Sequence, residues 1–386
     1  MAASARCNAR RSCVKPPSSP RGTRSGRSSK RSATSLPSPS SPPPTPSGPA
    51  SRWAWVVGLV VTLGLLAWAL HGVDARAVVD HVRRASPWLL CATIVIATLT
   101  FPLRALRWRL ILRDVGGSEL PLLPLWHATA IGFMANNLLP VRAGEVARAY
   151  AARQAVSVRF TTALASIGVE RVFDALVMVG LMTVALVAPS FPRQATIGGV
   201  SVSRLATIAG ALSVAVLVVA LLVVHRPAPW LAALASLART LLPARHADRV
   251  AHVAGGLVAG LEVLKSPGRF LAVVAWSLVL WLVNAASFAV CFRAFGLPLP
   301  AEGAFLLQGI IGFGVALPSS PGFIGVFEAA TRGTLAIYGI DATRAVSYAV
   351  AYHVGTFFPI TLLGLYSLSR MRLHLTELRA AAPVDD

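Results

Sequence analysis

From residue 53 onward the polar positions of this chain are crowded into short intervals between long uncharged runs. Trp53–Leu70, Trp88–Leu103, Leu205–Val224 and Phe270–Phe292 contain no Asp, Glu, Lys or Arg. Each is long enough to cross the ~30 Å hydrocarbon layer as a helix. The alternation over ~10-residue strands that marks a membrane barrel is absent. The pattern predicts an all-α, polytopic helical membrane protein with crossings near 53–70, 88–103, 160–188, 204–224, 270–292 and 344–369.

Two further stretches, 121–159 and 301–340, are apolar but interrupted. The first breaks within "NNLLPVRAGEVAR", Asn136 to Arg148, and the second within "ALPSSPGFIG", Ala316 to Gly325. Each has a Leu-Pro, a Gly-containing linker and then a Glu opening a new helix: Leu139-Pro140 to Gly144-Glu145, and Leu317-Pro318 through Gly325 to Glu328. Broken apolar segments at corresponding places in two halves point to a transporter's binding site. An inverted repeat is the hypothesis this similarity raises.

Loop charge bears on how the broken stretches lie. With the N-terminal tail inside, Arg104, Arg107, Arg109 and Arg113 fall inside after two crossings. If 121–159 dips in and returns, the Arg-rich 226–269 linker is also cytoplasmic. A matching dip at 301–340 leaves Arg370, Arg372 and Arg379 inside. Full helical hairpins at both places give ten helices with the same parity. The expected location is a bacterial inner membrane, multi-pass, with both termini cytoplasmic.

Composition sharpens this picture. Hydrophobic residues make up 55% of the chain and charged residues 13%, against roughly a quarter charged in soluble domains, so a soluble enzyme is excluded. Ten of the 36 basic residues lie in Met1–Arg52, which has no acidic residue and is rich in Ser and Pro. That composition predicts a disordered basic tail over 1–52, retained in the cytoplasm by its charge. The membrane domain then spans 53–370, with a short cytoplasmic tail at 371–386. No nucleic-acid partner is expected. The four cysteines (Cys7, Cys13, Cys91, Cys291) have neither disulfide nor zinc spacing, and no cofactor or metal motif is present.

The candidate chemistry sits in the polar intervals. Glu170, Arg171 and Asp174 lie inside the 160–188 crossing. At a helix centre each would cost about 2.5–3.5 kcal/mol, against about 0.3–0.6 kcal/mol gained per Leu, Ile, Val or Phe. These three must therefore face protein or water. Arg171 reaches Asp174 at i,i+3, leaving Glu170 to seek Arg142 or Arg148. Two readings stand: a buried ion-pair network that fixes helix packing, or a polar cavity on a substrate path. Pro140 ends a helix, Gly144 supplies backbone freedom, and a new helix runs from about Arg142. Its free N–H groups form an anion site, to which Arg142 adds a planar fork. Glu145 reads equally as a first-turn carboxylate on the helix dipole. In the second break Ser320-Pro321 reads as an N-cap and first-turn proline, with Arg332 one turn beyond Glu328. Asn284 and Gln308 read as an interhelical hydrogen bond and His353 as a satisfied core histidine. Trp53, Trp55, Trp88, Trp108, Trp126 and Trp276 read as interfacial anchors. No nucleotide-binding, metalloprotease or serine-hydrolase motif occurs.

Taken together, "NNLLPVRAGEVARAY", "SIGVERVFDAL" and "ALPSSPGFIGVFEAA" resemble the lysylphosphatidylglycerol synthase transmembrane region, also called the flippase-like family. The match covers about 53–370 and rests on Asn137, Pro140, Arg142, Gly144, Glu145, Arg148, Glu170, Arg171 and Asp174. Pro318, Pro321, Gly322, Gly325 and Glu328 continue it. Many members carry a second glycine where this chain has Phe323. The resemblance implies movement of an anionic phospholipid or lipid-linked headgroup between leaflets. Bifunctional members add an aminoacyl-transferase domain, which about seventeen residues after the last crossing cannot hold, so aminoacyl transfer is not expected. A transferase acting on polyprenyl-phosphate substrates, with Glu145, Glu170 or Asp174 as base, is the alternative. A scaffold for a separate synthase is another, and a second copy of the chain is a further candidate partner. The site expected from all this comprises Asn137, Arg142, Glu145, Arg148, Glu170, Arg171, Asp174, Glu328 and Arg332. The expected hinges are Pro140, Gly144, Pro318, Pro321, Gly322 and Gly325.

Overall fold

The computed structural model describes residues 49–113, 118–139, 143–193, 226–241, 243, 266–315 and 320–380, with isolated positions between 196 and 222. All belong to one unit, Ser47–Asp386. The 1–48 part of the basic tail, Pro140, Arg142, Pro318 and most of the 204–224 crossing lie outside the described residues.

The fold is helical. In chain order the helices are α1 (Pro49–Leu70), α2 (Ala75–Arg84), α3 (Pro87–Ile111), α4 (Leu122–Leu138), α5 (Gly144–Ala155) and α6 (Phe160–Val187). They continue as α7 (Pro227–Leu241), α8 (Pro267–Ala294), α9 (Ala301–Gly314), α10 (Val326–Ile337), α11 (Ala342–Arg370) and α12 (Leu375–Ala380). A two-residue antiparallel pairing, Thr196–Ile197 with Val200–Ser201, does not alter the class. Helices α3, α8 and α11 are long and apolar enough to cross a membrane. Helix α6, with 28 residues, is long enough at ~1.5 Å per residue but carries three charges. Helix α1 turns by 77° into α2, whose start is capped by Asp74 accepting from Arg76 N at 2.8 Å. Helix α2 buries no residue and sets Val78, Val79 and Val82 among Arg, Asp and His, the pattern of a helix lying in the membrane interface.

Both apolar stretches are broken where expected, α4 from α5 and α9 from α10. The physical role of Gly144 differs from the expectation. Its φ is not positive; a Cβ there would strike the Gly132 carbonyl and the Asn136 side chain. Gly144 is thus a close-approach residue that lets α5 fold back onto α4, and the described part of α5 begins there. In the second break Ser320 precedes a single 3-10 turn, Pro321–Phe323. Gly322, Phe323 and Gly325 all have positive φ (70°, 59° and 83°). The linker read at 226–269 contains α7, and the short C-terminal tail is partly docked, with Leu378 buried against the α4–α5 core.

The two halves form an inverted repeat. Helix α3 lies antiparallel to α8: Ser86 N donates to Ala294 O at 3.0 Å, Arg107 reaches Ser277, and Ile111 packs with Val273. Around this seam, contacts come in matched pairs. The α3–α4, α4–α5, α5–α6, α4–α11 and α3–α11 packings are answered by α8–α9, α9–α10, α10–α11, α9–α6 and α8–α6. Exchanging the halves turns α3 upside down onto α8, as an inverted repeat requires.

Phe323 occupies a left-handed backbone position, which costs an L-residue about 1–2 kcal/mol and glycine nothing. Phe323→Gly should therefore melt higher in detergent than Phe323→Ala, by about 1–2 kcal/mol, since both lose the ring and only glycine relieves the backbone.

Candidate functional site

Helix α6 aligns Ser166, Glu170 and Asp174 on one buried face at four-residue spacing. Helix α3 answers with Arg104, Arg107 and Trp108, all buried, and α5 adds Arg148. Arg148 Nη1 donates to Glu170 Oε2 at 2.5 Å. Arg107 bridges both carboxylates, 3.4 Å from Glu170 Oε1 and 2.5 Å from Asp174 Oδ1, and donates to Ser277 Oγ at 3.0 Å. Trp281 Nε1 donates to Asp174 Oδ1 at 2.9 Å, and Arg171 lies 3.4 Å from Asp174 Oδ2. The Arg148 guanidinium lies 3.8 Å over the Trp108 ring, whose Nε1 donates to Ser166 Oγ.

Arg104 is the least satisfied member. Its Nη1 lies 3.9 Å from Asp174 Oδ2, and its buried Nε and Nη1 find no hydrogen-bond acceptor among the described residues. It sits between the faces of Phe133 and Trp281, 5.0 and 5.4 Å from their centroids. The cluster holds four guanidiniums (Arg104, Arg107, Arg148, Arg171) against two carboxylates, a formal excess of two positive charges. A half-enclosed cavity of about 220 Å³ opens beside Arg104, bounded by α3, α4, α8, α9 and α11 and lined also by Thr100, Asn284, Gln308, Tyr352 and Thr356.

The second repeat has a smaller polar centre. Glu328 Oε2 accepts from Gly325 N at 2.7 Å, capping its own helix start. Glu328 Oε1 lies 2.7 Å from His353 Nδ1, and His353 Nε2 is 2.8 Å from Gly322 O. A carbonyl only accepts, so Nε2 carries a proton and one further proton is shared between Nδ1 and the carboxylate. The one-turn helix packs against α4, with Gly322 facing the Asn137 carbonyl. The two breaks therefore meet.

The family model for the lysylphosphatidylglycerol synthase transmembrane region matches residues 55–364. The chain belongs to that family. Among its relatives, glycosyltransferase AglD of Haloferax volcanii is 29% identical over 343 residues, covering 83% of this chain and 55% of that protein. Two UPF0104 membrane proteins of Methanothermobacter thermautotrophicus are 28% and 25% identical, covering 72% and 80% of this chain and 82% and 90% of their own lengths. The chain thus spans about half the length of the AglD relative.

The family's motif residues separate into distinct structural roles. Arg148, Glu170, Arg171 and Asp174 converge, as Arg148–Glu170 and Arg171–Asp174 pairing requires. Glu328 belongs instead to the His353 centre. Asn137 donates to Thr361 Oγ1 at 3.0 Å, joining α4 to α11, and Glu145 is half-buried on the first turn of α5. The N-terminus of α5 is not a bare anion site, since Asn136 Oδ1 accepts from Gly144 N at 2.9 Å. Arg332 departs from its expected place. Its guanidinium donates to the carbonyls of Trp68, Ala69 and His71, closing the end of α1. Trp108 is fully buried beneath Arg148, not an interfacial anchor. Asn284 donates to Gln308 Oε1 at 3.2 Å, the expected interhelical bond.

Arg104, Arg107, Ser277 and Trp281 escaped the sequence reading, which ended the crossing at Leu103 and put both arginines in a loop. The signal was present: arginines three apart on α3 complement carboxylates four apart on α6. Breaking a buried pair by removing one partner costs about 3–5 kcal/mol. Glu170→Gln should destabilise the purified protein by that order, and Glu170→Gln combined with Arg148→Met should recover at least half, read as melting temperatures in one detergent.

Proposed function

We propose that this chain moves an anionic phospholipid or lipid-linked headgroup between the leaflets of its membrane. The observation that carries this is the excess of guanidinium over carboxylate at the seam of an inverted repeat, with the unsatisfied Arg104 lining a cavity. Charge at membrane depth is expensive, so an unneutralised guanidinium there is retained for an anionic ligand. The meeting of two broken helices supports the reading, because inverted-repeat transporters place substrate sites at such breaks. The binding groups on this reading are Arg104 and Arg142, with Arg148, Glu170, Arg171 and Asp174 holding the cluster. The membrane is a bacterial inner membrane with both termini cytoplasmic, on the basic 1–52 tail and the Arg-rich 226–269 linker. Arg104 and Arg107 no longer count toward that charge rule, being inside the bundle.

A second reading follows from the AglD relative, whose name is glycosyltransferase: a transferase acting on lipid-linked substrates. Glu170 and Asp174 are each engaged by arginine, whereas Glu145 is half-buried and has no ion pair among the described residues, so Glu145 is the candidate base on this reading. Altered lipid found by mass spectrometry in expressing cells would favour this reading.

Proteoliposomes carrying fluorescent phosphatidylglycerol, quenched from outside with dithionite, test translocation. Wild type should accelerate transbilayer exchange. Arg104→Ala and Arg142→Ala should each slow it about tenfold or more, the worth of one hydrogen bond to a charged group. Equal rates for wild type and both variants would remove the proposal.

A further inference from the structure

Resting on the translocation reading, we propose that the cavity beside Arg104 recognises a phosphate-linked, uncharged, hydroxyl-rich headgroup, a single sugar on a lipid phosphate, and discriminates against aminoacylated headgroups.

Two buried side chains that line this space carry donors without a protein acceptor among the described residues: the Arg104 guanidinium and the Gln308 amide. Arg104 is 7% exposed and Gln308 2%, so neither is a solvated surface group. The Gln308 Oε1 already accepts from Asn284 Nδ2, which fixes the amide beside the cavity and leaves its Nε2 without a partner. A charged planar donor suits a phosphate. A neutral amide donor one helix away suits a hydroxyl.

The rest of the lining supports this choice. Trp281, Phe288 and Tyr352 also line the space, so ring carbons lie beside these donors, and the C–H groups of a sugar ring pack favourably against such apolar aromatic surface. At about 220 Å³ the space falls below the ~300–1,000 Å³ of drug-sized sites, a size suited to one headgroup.

Among the described residues no carboxylate lines the cavity. Asp174, 3.9 Å from Arg104, is already engaged by Arg107, Trp281 and Arg171. A lysyl or alanyl ester would bring an ammonium group into a pocket whose one charged wall among the described residues is a guanidinium. Unpaired charge of like sign in a low-dielectric space is strongly disfavoured.

Binding selectivity tests this without requiring transport. The full chain in nanodiscs is titrated with farnesyl phosphoglucose, farnesyl phosphate, glucose 1-phosphate and lysylphosphatidylglycerol, read by tryptophan fluorescence. Farnesyl phosphoglucose should bind about tenfold tighter than farnesyl phosphate, the worth of a buried hydrogen bond, and tighter still than lysylphosphatidylglycerol. Gln308→Met should erase the first difference, while Arg104→Ala weakens both prenyl ligands. Gln308→Glu should shift preference toward lysylphosphatidylglycerol, and it serves if the Met variant fails to fold. Lysylphosphatidylglycerol binding wild type as tightly as the prenyl sugar would overturn the proposal. So would equal weakening of both prenyl ligands in Gln308→Met, and so would glucose 1-phosphate matching the lipid, which would make the ligand a soluble sugar phosphate. Intact selectivity without transport would sink the translocation reading alone.

Discussion

Two carboxylates on one membrane helix, Glu170 and Asp174, set the terms for the interior of this protein. Neither can face lipid, and neither can be neutralised by its own helix alone, since Arg171 reaches only Asp174 and is itself 44% exposed. Partners must come from elsewhere, and they come from three directions: Arg107 and Arg104 on α3, Arg148 on α5, and Ser277 and Trp281 on α8. Arginine suits the task because one planar fork can serve two acceptors at once, as Arg107 does here. The network therefore draws four helices to a common depth. The surplus guanidinium that results is the one chemical property that distinguishes the cavity from a water-filled gap.

How far this was legible beforehand depended on the kind of signal. Helix positions followed from charge-free runs, because a segment without charge over a membrane's thickness has few alternatives. The two breaks followed from Pro and Gly chemistry, and the Arg171–Asp174 pairing from helical spacing, while Glu170 was left to Arg142 or Arg148 and the structure pairs it with Arg148. The end of α3 did not. "RALRWRLILR" reads as a basic loop when taken alone, and only the acidic face of α6 turns it into a helix end with two arginines inside. Arg332 was misplaced for a related reason. A guanidinium satisfies carbonyls as readily as phosphate, and the carbonyls in question lie 261 or more positions earlier, beyond any local rule. Phe323, where the resemblance leads one to expect a glycine, was legible as a departure from the motif, but its left-handed backbone required coordinates.

The two repeats share a layout and reverse its polarity. In the first, the second half of the broken helix supplies a cation, Arg148, to an acid on the following long helix. In the second, the corresponding half-helix supplies an acid, Glu328, to His353 on the following long helix. The scaffold is thus symmetric while its interior potential is not. The α3–α8 seam carries fixed positive charge on one side and a compensated pair on the other.

The first helix has an odd allegiance. Although α1 precedes the first repeat, its bonds run to the second: Thr62 to Ser320, the carbonyls of its last turn to Arg332, and Asp74 just beyond it to Thr343. During synthesis at ~5–20 residues per second, those carbonyls wait on the order of ten seconds or more for Arg332 to emerge. The opening segment of the chain therefore cannot complete its docking until most of the protein has been made, and its arrival serves as a late latch on the assembled bundle.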